Sequence, residues 1–334
     1  MGDGHYLEPL GQPLLGGLPA PVQEPRLRWG PDTRRRKWLS CLRGLPFNLL
    51  LFSLTVLTTL IVGTHIARNY ARGLPVFDGE FSRAFYSNLW WNPSQLQLGL
   101  PFSLALLSIL LAHELGHYFT CRRYGIRASY PYFIPAPTLI GTLGAFIRIK
   151  SPIVTRRALF DVGISGPLVG FAVALPALAL AVLHSKAIVP PNSPDTITLG
   201  NPLVVILLTK LLRPGIDPAS ISLHPVGCAA WVGLFATTLN LLPAGQLDGG
   251  HILYAVLGDK HRTVSRGLFL ALVPMGVFCW AGWMVWAVIL LALGLRHPVV
   301  MLPSEPLDTG RKLLALVAVL IFVLTFVPTP FSVR

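Results

Sequence analysis

At 334 residues the chain is long enough for one large domain or two. Hydrophobic residues make up 53% of it, charged residues only 12%, and mean hydropathy is +0.61, which excludes a soluble globular protein because such a core cannot use that much apolar surface. The net charge of +13 does not point to nucleic acid, since the basic residues stand at the ends of apolar runs, where they set membrane orientation, and no basic domain or aromatic-basic module accompanies them.

Residues 1–44 are rich in Pro, Gly and Arg and read as a flexible, basic, cytoplasmic tail, leaving 45–334 as one membrane-embedded domain. The cluster Arg34, Arg35, Arg36, Lys37 with Arg43 abuts the first apolar run, where it can also meet anionic headgroups. A cleaved signal peptide would carry its apolar core nearer Met1. The first span is expected over 45–64, going outward. A mixed aromatic segment follows, with Trp90 and Trp91 as interface anchors. The second span, 98–119, returns inward and is followed at once by Arg122, Arg123 and Arg127.

Pro131, Pro135 and Pro137 forbid a regular helix in the next stretch. Gly141 and Gly144, then the alternation that begins at Ala145 and Phe146, predict a β-hairpin or re-entrant strand that could pair with an unwound substrate; the alternative is an interfacial connector. The third span, 160–183, opens on Gly163, Gly166 and Gly170, small residues that permit close helix contact, with Asp161 at its mouth as an interfacial cap. The apolar run 202–212 is short and carries Lys210, so it reads as a half-helix or surface helix on the outer side. A fourth span over 225–242 breaks at Pro243, and Gly245, Gly249 and Gly250 predict unwound backbone beyond it. The run 267–295 fits one tilted span or a pair of short ones; Arg296, Arg311 and Lys312 favour the pair, and a last span covers 313–327. The expected fold is thus an all-α polytopic membrane protein of about six to seven transmembrane helices, with the hairpin or re-entrant element and the half-helix.

The chemistry-bearing residues stand in the second span, in the string SILLAHELGHYFTC. His113 and His117, four positions apart on a helix, share a face and can hold one metal ion, with Glu114 between them as general base. A charged residue inside an apolar run is costly, so Glu114 is a functional candidate by default. A catalytic zinc takes three protein ligands and a water. Asp248, at the inner end of the fourth span, is the candidate third ligand, with His251 as its rival. Asn240 could donate to an oxyanion or satisfy the broken backbone around Pro243. The four cysteines have no paired spacing and suggest neither disulfides nor a thiolate site; Cys121 reads as a small apolar residue.

HELGH at 113–117 within a span, with LDGG at 247–250 at the end of a later one, resembles the site-2 proteases, peptidase family M50. The strings GTLGAFIRIKSP, FDVGISGPLVG, HPVGCAAWVGLFATTLNLLPAGQLDGGH and LRHP are similar to its bacterial and plastid branch, typified by the ethylene-dependent gravitropism-deficient and yellow-green proteins. The resemblance implies a three-helix protease core, Zn2+ bound by His113, His117 and Asp248, Glu114 as catalytic acid/base, and cleavage of single-span membrane substrates near the cytoplasmic side. Gly141, Gly144, Ala145 and Phe146 are the candidate substrate-binding residues. The PDZ or CBS domain that many members carry has no room within the loops. The expected setting is a bacterial inner membrane, with a plastid membrane as the alternative. A metal-ion transporter and a catalytically silent scaffold are the competing functions; a transporter would show repeated halves, which this sequence lacks.

Overall fold

The computed structural model describes residues 32–78, 83–187, 196–294 and 306–333. The chain divides into two units, 1–42 and 43–334. Of the first, residues 32–42 are described and are helical; residues 1–31 of the expected tail lie outside the described residues, as does Arg296.

Helix α1 (Asp32–Arg72) is long and apolar enough to cross a membrane from Leu45 onward. Strand β1 (Phe77–Asp78), helix α2 (Arg83–Trp91) and a 3-10 turn over Pro93–Gly99 lead into α3 (Leu100–Arg123). Strands β2 (Tyr132–Pro135) and β3 (Thr142–Phe146) form the expected hairpin, pairing antiparallel with Tyr132 opposite Phe146 and a register shift before Pro135. Helix α4 (Arg156–His184), capped by Thr155, is followed by β4 (Lys186–Ala187) and β5 (Thr196–Leu199). Then come α5 (Leu203–Leu212), β6 (Ile221–Ser222), α6 (Pro225–Asn240), α7 (Asp248–Leu257), α8 (His261–Phe278), α9 (Gly282–Leu293), α10 (Thr309–Thr325) and β7 (Phe331–Val333). Among the described residues, three helical segments are long and apolar enough to span a membrane: 45–72, 93–123 and 156–184.

Helix α6 is the axis of the bundle. Nearly every residue from Pro225 to Leu239 is buried, Trp231 and Leu234 among them, as suits a helix apolar on all sides. Helices α3, α4 and α10 pack around it. Glycine sets the closest approaches: a Cβ on Gly233 would lie 2.6 Å from Ile109, and one on Gly116 2.6 Å from the Ser165 carbonyl oxygen.

The bundle has two distinct ends. At one, the hairpin lies along α1: Asn48 donates to the carbonyls of Tyr130 and Pro131, the Phe52 and Phe133 rings meet edge-on at 5.0 Å, and Thr58 Oγ1 donates to the Gly141 carbonyl at 2.6 Å. Ten residues of helix separate Asn48 from Thr58, so the hairpin follows α1 for about 15 Å. At the other end, two small sheets that the sequence reading did not anticipate tie distant segments together, β1-β5-β7 and β4-β6.

Helix α5 is a short apolar helix. Trp231 Nε1 donates to the Gly200 carbonyl just before it, and Arg213 just after it donates to the Leu183 and Ser185 carbonyls at the sheet end. Its ten residues reach about 15 Å, half a bilayer core. The 267–295 run resolves into the pair α8 and α9, with a break at 279–281.

Two expectations are corrected. Asp161 is not the cap of α4: Thr155 accepts from the Ala158 N–H, while Asp161 pairs with Arg311 at 2.6 Å. The backbone after α6 unwinds over 241–247, but Gly249 and Gly250 stand in the first turn of α7. They serve close approach instead, because a Cβ on Gly249 would lie 2.1 Å from the Leu241 oxygen and one on Gly250 2.4 Å from the Gly245 oxygen.

Candidate metal centre

The residues singled out on α3 all point into the bundle. His113, Glu114 and His117 are 5%, 6% and 7% exposed. Their neighbour is α4, whose glycines make room for the rings: a Cβ on Gly166 would lie 2.1 Å from His117 Nε2, and one on Gly170 3.1 Å from His113 Nδ1. The helix contact expected from these small residues is therefore a cradle for two imidazoles.

Asp248 arrives from the opposite side. The break after Asn240 turns the chain so that Asp248 opens α7, and its carboxylate reaches both rings. Oδ2 is 3.2 Å from His113 Nε2 and 3.2 Å from His117 Nε2, and the two Nε2 atoms are 3.1 Å apart. Three ligand atoms thus form a near-equilateral triangle. His251, the rival third ligand, is absent from this group, and so is Cys121, which is buried in the α3–α4 contact.

Zinc fits this set. Bonds of about 2.0–2.1 Å from a tetrahedral zinc place its ligand atoms roughly 3.3 Å apart, close to the edges of the triangle, and two imidazoles with one carboxylate are a donor set it takes. His117 Nδ1 lies 2.7 Å from the Val162 carbonyl. A carbonyl only accepts, so Nδ1 carries the proton and Nε2 keeps its lone pair for the triangle.

The remaining candidates divide. Glu114, beside the ligands, lines a cavity of about 120 Å³ shared with His113 and Asn240. The Asn240 amide nitrogen is 3.3 Å from His113 Nε2, at the rim of the triangle. Gly144 and Ala145 line the same cavity. Gly141 does not: it sits at the hairpin tip with φ +83°, against the Thr58 backbone of α1. Phe146 stacks on Tyr132 at 5.4 Å instead of facing the cavity. The sequence reading missed Leu143 and, on α9, Trp286, both of which line the cavity.

Residues 101–282 match Peptidase family M50. The chain is 30% identical over 79% of its length to "Probable zinc metalloprotease EGY2, chloroplastic" of Arabidopsis thaliana, covering 47% of that protein. It is also 30% identical to the proteins named "Probable zinc metalloprotease EGY1, chloroplastic" of Oryza sativa subsp. japonica, over 84% of this chain and 50% of that one, and of Arabidopsis thaliana, over 82% and 52%. The chain spans about half the length of the curated relatives it matches. Their chloroplast names lend nothing to the bacterial inner membrane expected from the sequence. The family match takes in all three members of the buried ligand triangle and more than half of the chain, which belongs to peptidase family M50.

Proposed function

We propose that the chain is an intramembrane zinc endopeptidase that hydrolyses peptide bonds in or near the transmembrane segments of membrane-anchored substrates. The observation that carries this reading is a three-atom ligand triangle with an acid at its side, opening on a cavity at membrane depth. His113 and His117 stand ten and six residues before the end of α3, about 15 and 9 Å inside it. Arg122, Arg123, Arg156, Arg157, Lys260 and Arg262 gather at the hairpin end, which supports a cytoplasmic position for that end. Helices α1, α3 and α4, with α6, the α8–α9 pair and α10, then make up the expected six to seven spans. The hairpin is a re-entrant element, its irregular backbone shielded by α1.

Zinc held by His113, His117 and Asp248 would supply a water of lowered pKa and polarise the carbonyl to be attacked. Glu114, which borders the same cavity, would serve as the general acid/base, accepting a proton from the attacking water and delivering it to the leaving amine. Asn240, whose amide nitrogen lines the cavity beside His113, would donate an amide hydrogen to the developing oxyanion. The outer edge of β3, where Gly144 and Ala145 border the cavity, holds an extended segment of substrate as an added strand. Gly144 is a glycine for its backbone, φ +104°, since the space beside it is open.

Reconstituting the protein in liposomes with a panel of single-span substrates tests the reading. Wild type cleaves, and Glu114→Gln, which keeps the shape and loses the base, falls by at least about 100-fold. Equal cleavage by both, or zinc flux without cleavage, would overturn it.

A further inference from the structure

The cavity beside Glu114 has a shape that restricts what can be cut. Its inner wall is Ile109, one turn before His113 on α3. Its floor is α6 at Gly233 and Ala236, where the missing side chain of Gly233 lets α6 close onto Ile109. Leu143 of the hairpin and Trp286 of α9 complete the apolar part of its lining. Trp286 is held in place by its own helix start, where the Trp283 indole N–H donates to the Pro328 carbonyl at 2.7 Å. Thr237, a polar lining residue, already donates its hydroxyl to the Gly233 carbonyl.

A substrate strand alternates its side chains between two faces. With its carbonyl at the ligand triangle and its backbone along β3, a residue next to the cleaved bond must aim its side chain into this space. Apart from His113, Glu114, Thr237 and Asn240, the side chains that line it are apolar, Ile109, Leu143, Ala236 and Trp286 among them, so a charged or amide side chain packed against these would lose its hydration for little return. Size sets the second limit. An apolar cavity of about 150 Å³ just holds a benzene ring, and this one measures about 120 Å³.

We propose that this cavity is the specificity pocket, and that it admits a short aliphatic side chain beside the cleaved bond and refuses aromatic and charged ones, with Ala236 as its floor and Trp286 as its wall. The proposal rests on the proteolytic reading above. It makes the substrate class one whose cleavage point carries residues of alanine to leucine size.

The test uses the full chain in liposomes and a single-span substrate whose cut bond has been located by mass spectrometry. The residues on either side of that bond are varied through Ala, Leu, Phe and Asp. At one of the two positions wild type prefers Leu to Phe by roughly tenfold or more in kcat/KM. Trp286→Ala removes that preference by opening the wall, and Ala236→Leu moves the optimum from Leu to Ala by raising the floor. Should Trp286→Ala not fold, Ala236→Leu decides alone. No aliphatic preference at either position, or ratios unchanged in the variants, overturns the pocket while cleavage that depends on Glu114 still stands. Absence of any cleavage by wild type overturns the proteolytic reading and the pocket with it.

Discussion

A glycine explains why the ligand rings stand where they do. Gly166 faces His117 so closely that a methyl group there would overlap Nε2, the atom that belongs to the triangle. In an exposed helix, Gly to Ala adds roughly 1 kcal/mol of stability. At Gly166 the same change must instead push the ring away from Asp248 and His113. Gly166→Ala is therefore expected to lower zinc affinity by about 10- to 100-fold, the scale on which misplaced ligand orientation acts. Metal content of the purified protein reads this directly, with Gly267→Ala on α8, where added bulk meets nothing within 4 Å, as the control. Retention of full zinc content by Gly166→Ala would remove the cradle from the account of the site.

The helices differ in how openly the sequence announces them. The long helices α1, α3 and α4 carry apolar runs long enough to span; His113 and His117 stood out by their four-residue spacing, and Glu114 and Asp248 because charge in or at the end of such runs is costly. The glycine pair after Asp248 misled because a residue that permits unwinding also permits close packing, and only the Leu241 and Gly245 oxygens decide which. The end sheets were invisible, since β1 and β4 are two residues long and their partners lie far away in sequence. Trp286 gave no signal either: an apolar residue on an apolar helix looks the same whether it faces lipid or a cavity. The start of α6 was also hidden in plain sight. His224 accepts the Val226 N–H through Nδ1 at 3.3 Å, which only a neutral imidazole can do. Burial, and after it the charge of nearby His184, holds the His224 pKa below its ordinary value of 6.5. The folded state thus binds fewer protons, so the contribution of this cap is complete above pH 6.5 and fades as pH falls through that value towards the lower folded pKa. His224→Asn keeps an acceptor that does not titrate. It is expected to flatten the dependence of Tm on pH below the ordinary histidine pKa of 6.5, a cap of this kind being worth about 1 kcal/mol. Parallel pH profiles for the variant and wild type would rule the cap out as their source.

Across the whole molecule, the site depends on helices brought together from both halves of the chain, and one polar cluster at the hairpin end ties them. Arg311, at the start of α10, reaches Asp161 of α4 with two parallel bonds, Nε to Oδ1 at 2.8 Å and Nη2 to Oδ2 at 2.6 Å. Tyr124, immediately after the metal helix α3, donates its hydroxyl to the same carboxylate. Asp308 caps α10 by accepting the Arg311 N–H at 2.9 Å and also pairs with its side chain. The next residue after Asp161 is Val162, whose carbonyl orients His117, so the cluster sits one peptide away from the ligand set. Both partners of the ion pair are about four-fifths buried, which separates this contact from a surface salt bridge. Removing only Arg311 takes two charge-assisted bonds from the largely buried Asp161 carboxylate. Arg311→Met is accordingly expected to cost on the order of 2 kcal/mol, and Arg311→Lys somewhat less, because a lysine cannot supply the two parallel bonds. Asp161→Asn combined with Arg311→Met should cost clearly less than the two single changes added together, since the double variant strands no charge. Unfolding of the four proteins in the same detergent measures the coupling. Additive losses would show that α10 is held to α4 by packing alone, through the cluster that joins Ala318 and Ile321 with Leu159 and Phe160, and that the polar cluster contributes little to keeping the two halves of the site in register.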